Sequence, residues 1–180
     1  AFVLLFLCTF CHAKTIIESE TAKKKLLGEH LFSLQWISWE RFGKAVVTER
    51  NENLYIEGIQ RGTSGKAKND YITIKGRITS VREKEFTFVG EIVTRVYHLA
   101  NGAPCKRKGS MVFAISGARK YWRLKNALNP CDRVADYVDL FFRNKKYPLT
   151  IHPAPAGSQI RVLNIKPKYY PGMKLAEGRY

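Results

Sequence analysis

The residues best suited to defined chemistry in this 180-residue chain are its cysteines and histidines. Cys105 and Cys131 are the two cysteines outside the first thirteen residues, and no C-x-x-C or H-x-x-x-H spacing relates them to His98 or His152. Because zinc sites need such short spacings between ligands, we predict no metal site. An even pair of cysteines in an oxidising compartment is typical of a disulfide, so we predict a Cys105–Cys131 bridge.

The sequence offers little support for catalysis. His98 stands near no G-x-S-x-G motif, and a bridged cysteine pair leaves no free thiol for it to activate. Asp132, Asp136 and Asp139 lie among cations, where they could cap a turn, pair with an arginine or supply half of a glycosidase-like carboxylate pair. Phosphate-loop and dinucleotide fingerprints are absent. We therefore predict a non-enzyme that uses no cofactor, with a hydrolase as the third-ranked alternative.

Cations beside an aromatic residue form the most distinctive surface candidate in a chain of formal net charge +16. In residues 119–125, Tyr121 and Arg123 would share one face of a strand, and Trp122 would lie on the other. Tyr121 could stack on a base or sugar while the arginines hold phosphate. The alternative is an ordinary solvated strand face over a buried tryptophan. The candidate polyanion-binding residues are Lys106, Arg107, Lys108, Arg119, Lys120, Tyr121 and Arg123.

The first thirteen residues predict the compartment in which the protein works. They are uncharged and mostly apolar, and they end in Cys11-His12-Ala13, which is typical of a signal peptide cleaved before Lys14. A run of this length is too short to cross a bilayer, which takes about 20 residues. We predict an exported protein, periplasmic or extracellular, without a transmembrane segment.

One helical segment precedes a long series of strands. Thr15 and Glu18 match a capping box, and acids followed by lysines before Gly28 predict a helix over 16–27. From Leu31 to Phe142 the apolar residues recur at every second position, and short polar turns join the runs. The pattern predicts an all-β, mainly antiparallel fold: an up-and-down barrel of roughly eight strands with one short N-terminal helix.

The predicted boundaries divide the chain into four segments. They are a signal peptide at 1–13, the N-terminal helix at 14–30, a single antiparallel barrel domain at 31–165 and a basic tail at 166–180.

The barrel resembles the calycin plan of lipocalins and fatty-acid-binding proteins over residues 31–142. The lipocalin signature places glycine two residues before the first-strand tryptophan, whereas this chain has Leu34 before Trp36. The resemblance therefore implies the architecture, and no ligand-binding residue is carried over. A barrel of this size is filled by side chains or holds one small ligand. The candidate lumen residues are Phe32, Leu34, Trp36, Phe86, Phe88, Phe113 and Trp122.

Two functional hypotheses follow from this architecture and charge. The first is a soluble exported barrel that binds a small apolar or amphiphilic, lipid-like ligand at its lumen or mouth. The second is a basic module without a small-molecule pocket that binds a polyanion of the cell envelope, such as an anionic lipid or glycolipid. Nucleic acid is not favoured as a partner, because no RNA-binding signature is present.

Overall fold

A computed structural model describes residues 14–39, 41–63 and 65–142. The predicted signal peptide, the last part of the predicted barrel domain at 143–165 and the predicted tail lie outside the described residues. The helix α1 spans Glu20–Leu26, and short 3₁₀ turns span Gly65–Asn69 and Ala100–Gly102. The strands are β1 (Ile16–Ile17), β2 (Gly28–Leu34), β3 (Gly43–Arg50), β4 (Asn53–Arg61), β5 (Tyr71–Val81), β6 (Glu85–Arg95), β7 (Cys105–Ala114), β8 (Tyr121–Leu124) and β9 (Val138–Phe141).

Strands β2 to β9 form a closed eight-stranded barrel in which each strand pairs antiparallel with its neighbour along the chain. The last strand returns to the first, with Phe32 opposite Leu140. Closure pairs both edges of the sheet, which removes the exposed edge that an open meander would present. The predicted all-β, up-and-down barrel with one helix is confirmed, and eight strands close it between residues 28 and 141.

The barrel interior is built by the period-two pattern, which sends alternate side chains inward. Strand β5 shows this most clearly, since Ile72, Ile74 and Ile78 are buried while Lys75 is exposed. Gly76 interrupts the series, and a Cβ atom there would come within 2.8 Å of the Phe88 ring and still closer to the backbone of β6. Glycine therefore lets β5 and β6 approach each other beneath that ring.

The N-terminal segment differs from the predicted helix over 16–27. Ile16 and Ile17 pair with β5 in parallel as the strand β1, and the helix begins only at Glu20. Ser19 caps it by accepting a hydrogen bond from the backbone N–H of Ala22. Thr15, the predicted cap, is buried instead; its hydroxyl donates to the Ile78 carbonyl and accepts from the Leu54 N–H. Two β-branched residues favoured pairing with the sheet over extending the helix.

The antiparallel strands divide the molecule into two ends with different closures. At the helix end, α1 lies beside the turns that join β5 to β6 and β7 to β8. At the loop end, four longer connections meet, at 35–42, 62–70, 96–104 and 125–137. Within the described ranges, no helix is long and apolar enough to cross a membrane.

Candidate binding surfaces at the two ends of the barrel

Six of the seven predicted lumen residues are fully buried, and the rings of four of them pack against one another. Phe86 stacks on Phe113 at 5.2 Å between ring centroids and meets the Trp122 ring edge-on at 5.9 Å. Phe88 tilts against Phe113 at 5.9 Å. These aromatic side chains occupy the interior in which a ligand of a hollow barrel would lie.

Trp36, the seventh predicted lumen residue, is half-buried and belongs to the loop end. Its indole N–H donates to Asp136 Oδ1 at 3.2 Å, and its ring meets that of His98 edge-on at 5.9 Å. The side chain of Trp36 therefore helps to close the barrel at a polar site.

The predicted polyanion-binding residues fall into two groups at opposite ends of the molecule. Lys106, Arg107 and Lys108 belong to the beginning of β7, and Arg119 and Lys120 follow its end. Six residues of β7, 109–114, lie between the first group and the end of the strand, which is about 20 Å at about 3.3 Å per residue. The sequence analysis grouped these residues as one candidate surface, and the structure does not bring its two parts together.

Arg107 is engaged within the loop end. Its guanidinium lies 3.4 Å from Asp136 Oδ2, which also accepts a hydrogen bond from the Asn129 side chain at 2.9 Å. Burial raises the pKa of the Asp136 carboxyl above its usual value, while Arg107 opposes that change. Burial likewise lowers the pKa of Arg107. The pair stabilises the closure of the barrel, and this cation is not free to bind a partner.

Arg123 is engaged on the outer wall. Both of its contacts with the Asp139 carboxylate are 2.7 Å, and its guanidinium lies over the rings of Tyr137 at 4.4 Å and Tyr121 at 5.2 Å. Burial raises the pKa of Asp139, and the hydrogen bond to that carboxylate raises the pKa of Arg123. The Tyr121 face predicted to stack on a ligand is therefore in contact with the protein's own arginine.

The helix end contains an open groove of about 340 Å³ that is lined by four cations. Arg119 and Lys120 were predicted as binding residues; Lys25 from α1 and Lys84 from the β5–β6 turn were not. No local signal marked those two lysines, because only the closure of the barrel brings the helix beside both turns.

The same groove has an apolar side and one acid. Ile115, Ala118 and Phe142 line it, together with Glu83. The Phe142 ring packs edge-on against Trp122 at 4.5 Å, and the Lys25 ammonium lies 4.9 Å from the Phe142 centroid. The groove therefore presents cations beside a supported apolar surface.

The predicted Cys105–Cys131 disulfide is present, with 6.0 Å between the Cα atoms. It ties the first residue of β7 to the 125–137 loop. His98 is exposed beside Tyr97, and Asp132 accepts hydrogen bonds from the backbone N–H groups of Ala100 and Val134. Across the described segments, no cluster of three His, Cys, Asp or Glu side chains could hold a metal ion.

Comparison with known proteins places the chain in a family. A protein of Pasteurella multocida (strain Pm70), described as "Uncharacterized protein PM1083", is 44% identical over 120 residues, which cover 67% of this chain and 75% of that protein. No solved structure matches the chain. The model of the PM1083 family matches residues 14–142, from the first described residue to the last, and the chain therefore belongs to the PM1083 family.

Proposed function

We propose that this protein is an exported barrel that binds an anionic amphiphile, such as an anionic lipid or glycolipid of the cell envelope, in the groove at the helix end. The observation that carries the proposal is the set of four cations that line one groove beside an apolar strip. This combines the ligand class of the first hypothesis with the charge of the second, and it moves the site from the lumen to the outside of the barrel.

The charge of the groove favours an anionic group. Lys25, Lys84, Arg119 and Lys120 form no ion pair with any described residue. Glu83 is the one acid among the lining residues. Cations gathered in a concave site focus their field and raise the local concentration of anions. A phosphate or sulfate head group supplies the several acceptor oxygens that such a cluster can engage.

The apolar strip favours an amphiphile over a bare anion. Ile115 and Phe142 are partly buried and pack against the core, so each presents a fixed apolar face to the groove. An acyl chain that covered these side chains would remove apolar surface from water on both molecules. A purely polar polyanion would gain nothing from this surface.

The interior weighs against the first predicted location of the ligand. The stacked rings of Phe86, Phe113 and Trp122 would have to separate before a ligand could enter between them. Opening a packed aromatic core costs several kcal/mol, by analogy with the removal of such side chains, at about 3–5 kcal/mol each. The groove requires no such rearrangement.

Isothermal titration calorimetry tests the site with dodecyl phosphate below its critical micelle concentration. Dodecyl maltoside and inorganic phosphate serve as separate probes of the tail and the head group. We expect the phosphate amphiphile to bind most tightly, with affinity that falls as salt rises. The double variant Lys84→Gln/Lys120→Gln should weaken it about tenfold, since each exposed ion pair contributes up to about 1 kcal/mol.

Lys66→Gln/Lys68→Gln is the matched control, because it removes the same charge from exposed lysines at the opposite end. An equal loss in this control would show that net charge alone attracts the ligand. Tight, salt-independent binding of dodecyl maltoside would indicate that the ligand binds in the lumen and not in the groove. Either result would overturn the proposed groove.

A further inference from the structure

We propose that the loop end of the barrel docks on the surface of an anionic lipid bilayer. Its four loops are joined into one cap, which presents separated aromatic and aliphatic side chains among exposed cations. This surface lies at the opposite end of the molecule from the groove, so the inference goes beyond the proposed ligand site and stands independently of it.

The cap is held together by hydrogen bonds between different loops. Each of its four loops is bonded to at least one other, so the surface is organised before any partner arrives. The bonds run from Arg41 Nη1 to Thr63 Oγ1 at 2.7 Å, from Gln35 Nε2 to the Ala135 carbonyl at 2.6 Å, from the Tyr97 N–H to Asp70 Oδ1 at 2.9 Å and from the Ala100 N–H to Asp132 Oδ2 at 3.0 Å.

Buried polar groups beneath the cap support the same arrangement. The Gln60 side chain, which is buried, accepts from the Leu34 N–H and donates to the carbonyls of Ser38 and Arg41. These bonds hold the 35–42 loop against the end of β4. Because a buried amide that lost its partners would carry a desolvation cost, the loop is fixed in place.

Large apolar side chains project from three of the four loops. Trp39 and Tyr97 are each 45% exposed, and Leu128 is 54% exposed. Single exposed apolar residues are common on protein surfaces, but here three neighbouring loops each contribute one at the same end. Trp and Tyr are the residues that settle at the boundary between lipid head groups and acyl chains.

The charge of the cap favours an anionic surface. Arg41, Lys66, Lys68 and Arg133 are exposed in the loops, and Arg61 is exposed at the end of β4. The acids there are turned inward: Asp70 and Asp136 are each 1% exposed, and Asp132 accepts two backbone N–H groups. Glu40 lies outside the described residues. Basic residues near an anionic leaflet are attracted over about a Debye length.

The spacing of the apolar side chains favours a bilayer over a folded protein. Trp39, Tyr97 and Leu128 belong to separate loops, and each of these loops also exposes a polar or charged side chain: Arg41, Asn101 and Arg133. A fluid interface adapts to several separated anchors, whereas a protein partner buries a continuous, closely complementary apolar centre. Lipid head groups also supply the distributed negative charge that this cap complements.

Flotation of the full chain with vesicles tests the inference. We compare vesicles of phosphatidylcholine alone with vesicles that also contain phosphatidylglycerol, and we expect binding to the second set. Trp39→Ala/Leu128→Ala should weaken the partition at least about tenfold. Lys66→Gln/Lys68→Gln should weaken binding to the anionic vesicles in proportion to the lost charge. Tyr55→Ala/Val89→Ala is the matched control, since it removes two exposed apolar side chains from the barrel wall.

Fluorescence provides a second readout that does not depend on the flotation yield. Brominated lipid should quench the emission of the anionic-vesicle complex, and Trp39→Phe should remove most of that quenching. Equal loss of flotation in the wall control would contradict the inference. So would loss of vesicle binding in Lys84→Gln/Lys120→Gln with the loop-end variants unaffected, because the groove would then be the lipid contact. If the loop end bound an acidic protein and did not bind vesicles, its partner would be a protein and the proposed bilayer contact would be wrong.

Discussion

The two ends of this barrel are closed by different kinds of interaction, and that difference explains why Arg107 is engaged in an ion pair while the groove cations are not. At the helix end, Leu26 and Trp122 close the barrel by apolar packing. At the loop end, buried acids and a disulfide close the barrel, and Arg107 forms an ion pair with Asp136. The buried carboxylate of Asp136 engages Arg107 at the loop end, whereas the four groove cations of the helix end have no ion-pair partner among the described residues. A similar density of basic residues in the sequence thus has different consequences at the two ends.

The largest expected effect would come from removing the apolar anchor of the helix end. Leu26, the last residue of α1, is fully buried, so Leu26→Ala should lower the free energy of unfolding by about 2–5 kcal/mol. Leu128→Ala at the loop end is the matched control, and its exposed side chain should change stability by about 0.5 kcal/mol or less. Urea unfolding measures both. Equal effects would show that the two ends do not differ in apolar closure.

Removal of the disulfide at the loop end should have the next largest effect on stability. Cys131→Ser opens the bridge between residues 26 positions apart, which lowers stability by about 3 kcal/mol if the bridge acts through chain entropy. Thermal unfolding in oxidising buffer should show this loss of stability. In reductant, the unfolding curves of the variant and the parent protein should nearly coincide. The affinity of the groove for dodecyl phosphate should not change. Coincident unfolding curves in oxidant would mean that the bridge contributes no stability.

A smaller effect is expected at the start of the helix. Ser19→Ala removes the side-chain acceptor for the Ala22 N–H and should lower stability by about 1 kcal/mol. Because Ser19 and Ala22 both line the groove, binding of dodecyl phosphate should weaken with it. Ser110→Ala, an exposed position of β7, provides the control. Weaker binding without a stability change would point to direct contact of Ser19 with the ligand.

The smallest effect should appear as a slope of stability against pH. Burial raises the pKa of Asp136, so the folded state retains a proton that the unfolded state loses near pH 3.9. The free energy of unfolding should therefore fall as pH rises from about 4 through the raised pKa. Asp136→Asn should make this part of the curve less steep, and the slope that remains comes from Asp139, whose pKa burial also raises. Glu57→Gln, which alters an exposed carboxylate on the wall, should leave the slope intact.

Much of the fold could be predicted, because its determinants are local. The alternation of Ile72, Ile74 and Ile78 with polar residues predicted a half-buried strand, and short turns between such runs predicted antiparallel pairing. The predicted start of the helix, residue 16, was wrong by four residues, because the helix begins at Glu20. Thr15 and Glu18 matched a capping box, yet Thr15 bonds across the barrel to residues 39 and 63 positions away, which no local pattern reveals.

The candidate sites could be predicted only in part. Arg119 and Lys120 are exposed, but nothing local distinguished them from Arg123, whose partner Asp139 follows 16 residues later. Arg107 pairs with Asp136, 29 residues away. Whether a cation is available for a ligand depends on such distant partners, so a count of charges overestimated the binding surface near both arginines.

The amino-acid sequence by itself determined the strand pattern, the single helix, the strongly basic charge and the cysteine pair. Each of these follows from residue types at short range, where periodicity and turn chemistry act. Only the tertiary structure decided that aromatic rings fill the interior, that the two basic segments lie at opposite ends of β7, and that Lys25 and Lys84 join Arg119 and Lys120 in one groove. Closure of the barrel brings together residues that are far apart in the chain, and these distant contacts decide whether each charged side chain is paired within the protein or free to bind a ligand.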